Sequence, residues 1–339
     1  MRDVGGTQNP QVVYSPSHPV EVLRQGDTAP TEHATLATAL ASITTAGTYT
    51  VTVFADQSLE GHTAEGASGF FNVAGAHITL LGAAPVQIRL SSNGRMFTIS
   101  GNNVSLTLGA NVTLVGRSAG GNGNENNNNN VVSVQSGGSF TMQNGSMVTG
   151  NTSAASSSAQ TSQRLLGSAV SVDGSSSEFT MEGGSITGNH AIQVGVNPFA
   201  TGGLYINANP TVNLKGGSIS GNEGANNDIY AASGTANLTL SGNVNIGTIQ
   251  MAAMSNQSAI ITIESGWSGS IGTIHLISNN IWNNQRVLQG TGLDTAAVGR
   301  VGLGNFIDDT NSNILIIRPI AATHRIADSG ANIGRLVAM

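Results

Sequence analysis

The chain has no cysteine. Disulfides, thiolate metal sites and a lipidated N-terminal cysteine are therefore excluded, while extracellular and cytosolic proteins both remain compatible. Charge is scarce too: charged residues are 9% of 339, Lys215 is the single lysine, and no acidic residue occurs in 66–124 or 126–172. A net charge of -6 without any basic run excludes a nucleic-acid footprint. Aromatics at 4%, beside 45 glycines and 39% hydrophobic residues, rule out a thick globular core. They suit a slim aliphatic core lined by short strands. No apolar stretch approaches the roughly 18 residues of a membrane helix, so no membrane insertion is expected. The opening Met1-Arg2-Asp3-Val4-Gly5-Gly6 lacks the apolar core of a signal peptide, which was either removed or never present.

What the chain does have is a recurring phrase. It runs from Gly138-Ser139-Phe140-Thr141-Met142 to Gly150-Asn151, from Glu178-Phe179-Thr180-Met181 to Gly188-Asn189, from Thr211-Val212-Asn213-Leu214 to Gly221-Asn222, and from Ala236-Asn237-Leu238-Thr239-Leu240 to Gly242-Asn243. Self-similarity of this kind marks units that bury their apolar side chains only by stacking on neighbours. The shared part spans about 20 residues. The variation in length lies in the segments after Gly-Asn.

Within each copy the apolar residues alternate, as strands with one buried face require. A second short strand follows a glycine turn and carries Met147, Ile186 or Ile219, and a third opens each copy at Val132-Ser133-Val134, Val170-Ser171-Val172, Leu204-Tyr205-Ile206 and Ile229-Tyr230-Ala231. Three strands make one triangular coil. Glycines such as Gly183-Gly184 and Gly216-Gly217 fit its corners. Asn151, Asn189 and Asn222 occupy equivalent corners and predict a ladder of side-chain amides. Phe140, Phe179, Val212 and Leu238 are expected to share one interior column. Alternating segments before and after these copies extend the pattern to roughly eight to ten coils.

The phrase resembles the Gly-Gly-Thr-Phe-Thr-Met-x-Gly-Gly-Thr-Ile-Ser-Gly-Asn repeats of bacterial surface proteins. The resemblance is close over residues 132–248. It implies an all-β fold, a right-handed parallel β-helix of the pectate-lyase-like superfamily with three-strand coils. It also implies an extracellular or cell-surface location and no enzymatic activity, and it supplies no catalytic residues.

An open β-helix needs its ends closed, unless its edges are meant to pair with something. Thr31 fits a helix N-cap, with Glu32 in the first turn and Leu36, Leu40 and Ile43 forming a stripe before Gly47, which predicts a short capping helix. The expected organisation is an extended N-terminal arm over 1–30, the capping helix and β-helix over 31–289, and a C-terminal cap or docking segment over 290–339. In the proline-bearing arm, Val12, Val13, Tyr14, Val20, Val22 and Leu23 form two strand-like runs suited to adding to a neighbouring subunit's sheet edge. A head-to-tail contact of that kind builds a filament.

Carbohydrate-cleaving chemistry needs paired acids facing one bond. Asp173, Glu178 and Glu182 lie in one coil, with only Lys215 as a basic companion. The seven histidines, His18, His33, His62, His77, His190, His275 and His324, show no metal-ligand spacing. No catalytic residue, cofactor or metal is therefore expected. Residues 117–131, 152–169, 190–203 and 223–228 leave the coil at one corner, and insertions stacked on one face are where solenoids bind. Tyr205 and Tyr230, at equivalent positions, are expected to form an outward aromatic pair that contacts a sugar ring or another chain. Two uses follow: a non-enzymatic extracellular subunit that self-assembles into a fibre, or alternatively a surface adhesin or carbohydrate-binding rod that meets glycans or a host surface. A polysaccharide lyase or hydrolase ranks last.

Overall fold

The computed structural model describes residues 18–63, 66, 68–118, 126–127, 129–154, 169–192, 201–224, 227–232, 237–252, 260–277, 288–292, 295–303, 324–326 and 336–338. Among these described residues the protein is all-β, with 54% strand and 4% helix. Within them a hydrogen-bonded sheet of 24 strands, mostly parallel, forms the body.

Three rows of strands make up this sheet. In the first, Tyr49, Ile78, Leu106, Phe140, Phe179, Val212, Leu238, Ile261 and Leu288 pair in one continuous register, and all nine are buried. The expected column of Phe140, Phe179, Val212 and Leu238 is thus present. The rings of Phe140 and Phe179 stack, with centroids 5.6 Å apart. In the second row Ile88, Leu114, Val148, Ile186, Ile219, Ile246 and Ile271 are in register. In the third, Phe97, Val132, Val170, Leu204, Ile229, Ile249 and Ile274 are. Like side chain lies over like because a one-residue slip would face apolar residues against the polar ones that alternate with them. Full burial of one such Leu, Ile or Phe is worth about 1.5–3 kcal/mol. The strand Asn237–Ala252 passes through all three rows in turn, pairing Leu238 with Ile261, Ile246 with Ile271 and Ile249 with Ile274.

The N-terminal end differs from expectation in two ways. Thr31 is not a helix cap, because Thr31–His33 is a strand whose backbone pairs with Val20–Arg24. Capping passes to Thr35, which starts the six-residue helix α1, Leu36–Ala41. There the Thr38 N–H donates to Thr35 Oγ1 at 3.2 Å, and the Thr35 N–H donates to Thr38 Oγ1 at 3.4 Å. Leu36, Leu40 and Ile43 are buried as the stripe predicts. Gly47 begins the next strand, Gly47–Val53.

The second difference concerns the expected arm over 1–30. Val20–Arg24 belongs to the main sheet, antiparallel to Gly47–Val53, with Val20 opposite Val53 and Val22 opposite Val51. At the other end, helix α2, Thr295–Gly299, precedes the strand Val301–Leu303, which pairs parallel with Ser270–Ile277. His324–Ile326 and Leu336–Ala338 form a separate antiparallel pair. Most of the expected C-terminal cap or docking segment, residues 304–323 and 327–335, lies outside the described residues.

Candidate functional site

The feature that organises one side of the molecule is a chain of buried amides. Asn127, Asn151, Asn189 and Asn222 are 0–4% exposed. Asn127 Nδ2 donates to Asn151 Oδ1 at 3.1 Å, the Asn151 N–H donates to Asn189 Oδ1 at 3.2 Å, and Asn189 Nδ2 donates to Asn222 Oδ1 at 3.0 Å. Each amide also bonds main-chain carbonyls: Asn189 Nδ2 reaches Val148 O and Thr187 O, and Asn222 Nδ2 reaches Ile186 O. The turn that presents them recurs, since Gly150, Gly188 and Gly221 take φ of 69°, 65° and 69°. A side chain disfavours that conformation.

After Asn222 the ladder runs out of asparagine: Asn243 pairs with Gly216, and the turn that follows Ile246, the partner of Ile219, reads Gly247-Thr248. Asp228 fills the gap. Its Oδ1 accepts the Asn222 N–H and Asn222 Nδ2, each at 3.0 Å, and its Oδ2 accepts the Thr248 N–H at 2.9 Å. A Cβ on Gly247 would lie 2.2 Å from Oδ2, so glycine there permits the approach. Burial pushes the Asp228 carboxyl above its ordinary pKa, against the downward pull of the Asn222 and Thr248 donors.

Directly after Asn151, Asn189 and Asn222 the insertions begin side by side. Thr152–Ala154 and His190–Ile192 pair in parallel as a small separate sheet, matching Thr152 with His190 and Ser153 with Ala191. Isolated bridges extend it, from Asn127 to Ser153 on one side and from His190 to Glu223 on the other. The stems of all four insertions, at residues 127, 153, 190 and 223, therefore line up as sheet neighbours. His190 Nδ1 lies 3.8 Å from Glu223 Oε2, with both side chains substantially exposed.

The expected aromatic pair stands elsewhere than predicted. Tyr205 and Tyr230 are in register, with ring centroids 5.8 Å apart, but they are 0% and 1% exposed. Thr98, Ser133, Ser171 and Gln250, in the same register, are buried with them. Both faces of this row are covered by the chain, so the two tyrosines do not present an open ligand-binding face. The self-association residues are corrected in part for a similar reason. Val20 and Val22 pack into the chain's own core at 0% and 7% exposure, Leu23 is 38% exposed, and Val12, Val13 and Tyr14 lie outside the described residues.

The acids of the central segment are tied to close neighbours. Asp173 Oδ1 accepts from Asn207 Nδ2 at 3.0 Å, and Glu178 Oε1 accepts from Thr180 Oγ1 at 3.4 Å. Histidines are likewise separated, His77 bonding Ser105 and His62 bonding Thr98, each at 2.9 Å. Among the described residues no group of three or more His, Asp or Glu converges, and no helix is long and apolar enough to cross a membrane. Sequence reasoning found Asn151, Asn189 and Asn222 but missed Asn127 and Asp228. Their signal is only a polar residue at the edge of an insertion.

No protein-family model matches this chain, and no curated protein or solved structure matches it.

Proposed function

We propose that the chain is a right-handed parallel β-helix of three-strand coils that serves as a non-enzymatic, extracellular rod, a surface adhesin or carbohydrate-binding protein whose insertions contact the ligand. The three rows of like residues, and the single strand Asn237–Ala252 running through all of them, support the β-helical reading. The observation that carries the binding reading is the alignment of the insertion stems through the Thr152–Ala154 and His190–Ile192 pair. A fixed row of stems brings variable segments to one side, the usual geometry of a solenoid binding face.

Head-to-tail filament assembly is the second reading, favoured by the low charge of the chain. It is weakened at the N-terminal end, where Val20–Arg24 already covers the edge of Gly47–Val53.

Binding of purified protein to arrayed glycans and matrix proteins tests the first reading, together with a variant whose residues 155–168 are replaced by a Gly-Ser linker. Binding that weakens at least tenfold in the variant supports it. Binding that survives intact, or none at all, refutes it, and fibres in electron micrographs would move the assignment to the second.

A further inference from the structure

We infer that His62 is an acid-sensitive latch: as a neutral imidazole it holds the chain that follows Gln57–Leu59 against the strand Phe97–Ser100, and its protonation releases that contact. The latch has a main-chain and a side-chain part. The His62 N–H donates to Arg95 O and the Arg95 N–H donates to His62 O, both at 2.9 Å. The ring then reaches along the neighbouring strand, where Nε2 lies 2.9 Å from Thr98 Oγ1. Phe70 packs edge-on against it, with centroids 5.9 Å apart.

The surroundings favour only the uncharged ring. His62 is 6% exposed, and its Nδ1 is buried with no hydrogen-bond partner. Thr98 and Phe70, from two different strands, face it with a hydroxyl and an aromatic edge. The charged group that bears on it is cationic, the Arg95 guanidinium, whose Nε donates to the neutral Asn130 Oδ1 at 3.4 Å. Among the described residues no carboxylate pairs with either cation. A second ring proton would create a second buried positive charge beside the first, and buried charge without a counter-ion is strongly disfavoured.

Burial first, and Arg95 second, lower the His62 pKa from 6.5 to about 4. Because the closed form disfavours the proton, its advantage is complete above 6.5. It falls about tenfold for each pH unit below that, until about 4.

Amide hydrogen exchange on the full chain tests the latch, with protection factors at His62 and Arg95 compared with those at Phe140 and Phe179. Protection at His62 and Arg95 should drop about tenfold per pH unit between 6.5 and 4.5 while the other two hold, and His62→Gln should flatten the profile. A flat wild-type profile, or an unchanged slope in His62→Gln, overturns the inference. Should the variant not fold, the ring titration of wild-type His62 by NMR decides: a pKa below about 5 upholds the latch, and one of about 6–7 overturns it.

Discussion

Asn222 Oδ1 accepts hydrogen bonds from both the main chain and the side chain of Asn189, at 3.2 and 3.0 Å, with both residues buried. One atom thus fixes the turn of one insertion stem to the next. Removing the Asn189 side chain leaves the Asn151 N–H without its acceptor, and Val148 O and Thr187 O without its amide. Asn189→Ala is expected to lose about 2–4 kcal/mol of stability. Exposed Asn144→Ala should change by less than about 0.5 kcal/mol. Denaturant titration of both variants checks this, and equal midpoints would contradict a structural role for the ladder.

Asp228 gives a prediction in pH. Its folded pKa is raised by burial above the ordinary 3.8, so the folded chain binds the proton more readily than the unfolded chain does. The contribution of this carboxyl to stability is therefore greatest below 3.8 and declines as pH rises through its folded value. Asp228→Asn should remove that downward slope from a plot of unfolding free energy against pH. A variant with the wild-type slope would show that the carboxyl is not the group responsible.

Gly184 tests the tightness of the glycine turns. Its φ is 82°, and a Cβ there would lie 2.5 Å from Ser146 O. Gly184→Ala is expected to cost about 2–4 kcal/mol from backbone strain and overlap together. Gly299, with open space around its missing Cβ, should accept alanine with little change. Thermal unfolding of the pair distinguishes a packing constraint from a general dislike of alanine.

The N-terminal strand gives a prediction about association. Val20–Arg24 occupies the edge of Gly47–Val53, and burying Val20 and Val22 holds it there. Deleting residues 1–24 bares that edge to another chain. Light scattering on a sizing column should show monomer for the full chain and larger species for the deletion. Larger species in the full chain alone would instead make this segment the agent of assembly.

How far the sequence foretold the structure depends on the range of the forces involved. Columns such as Phe140, Phe179, Val212 and Leu238, and the amides Asn151, Asn189 and Asn222, were legible because the stacking repeats a local pattern. Thr35 was not, because Thr31 and Thr35 are equally good caps until Val20–Arg24 draws Thr31 into a strand. The burial of Tyr205 and Tyr230 was also hidden, since alternation alone assigns them to an outer face that the folded chain covers. Asp228 escaped because it stands in for an asparagine from a different position along the chain.

The stacking itself is most directly measured by the distance between spin labels at Thr79 and Thr262, after each is changed to cysteine in this cysteine-free chain. Both side chains are partly exposed. The register leads from Thr79 through Thr107, Thr141, Thr180, Asn213 and Thr239 to Thr262. At about 4.8 Å per strand the two backbone positions lie about 29 Å apart. A narrow distribution centred within about 5 Å of that value is predicted, and a broad one, or a centre beyond about 45 Å, would contradict the parallel stack on which the proposed rod rests.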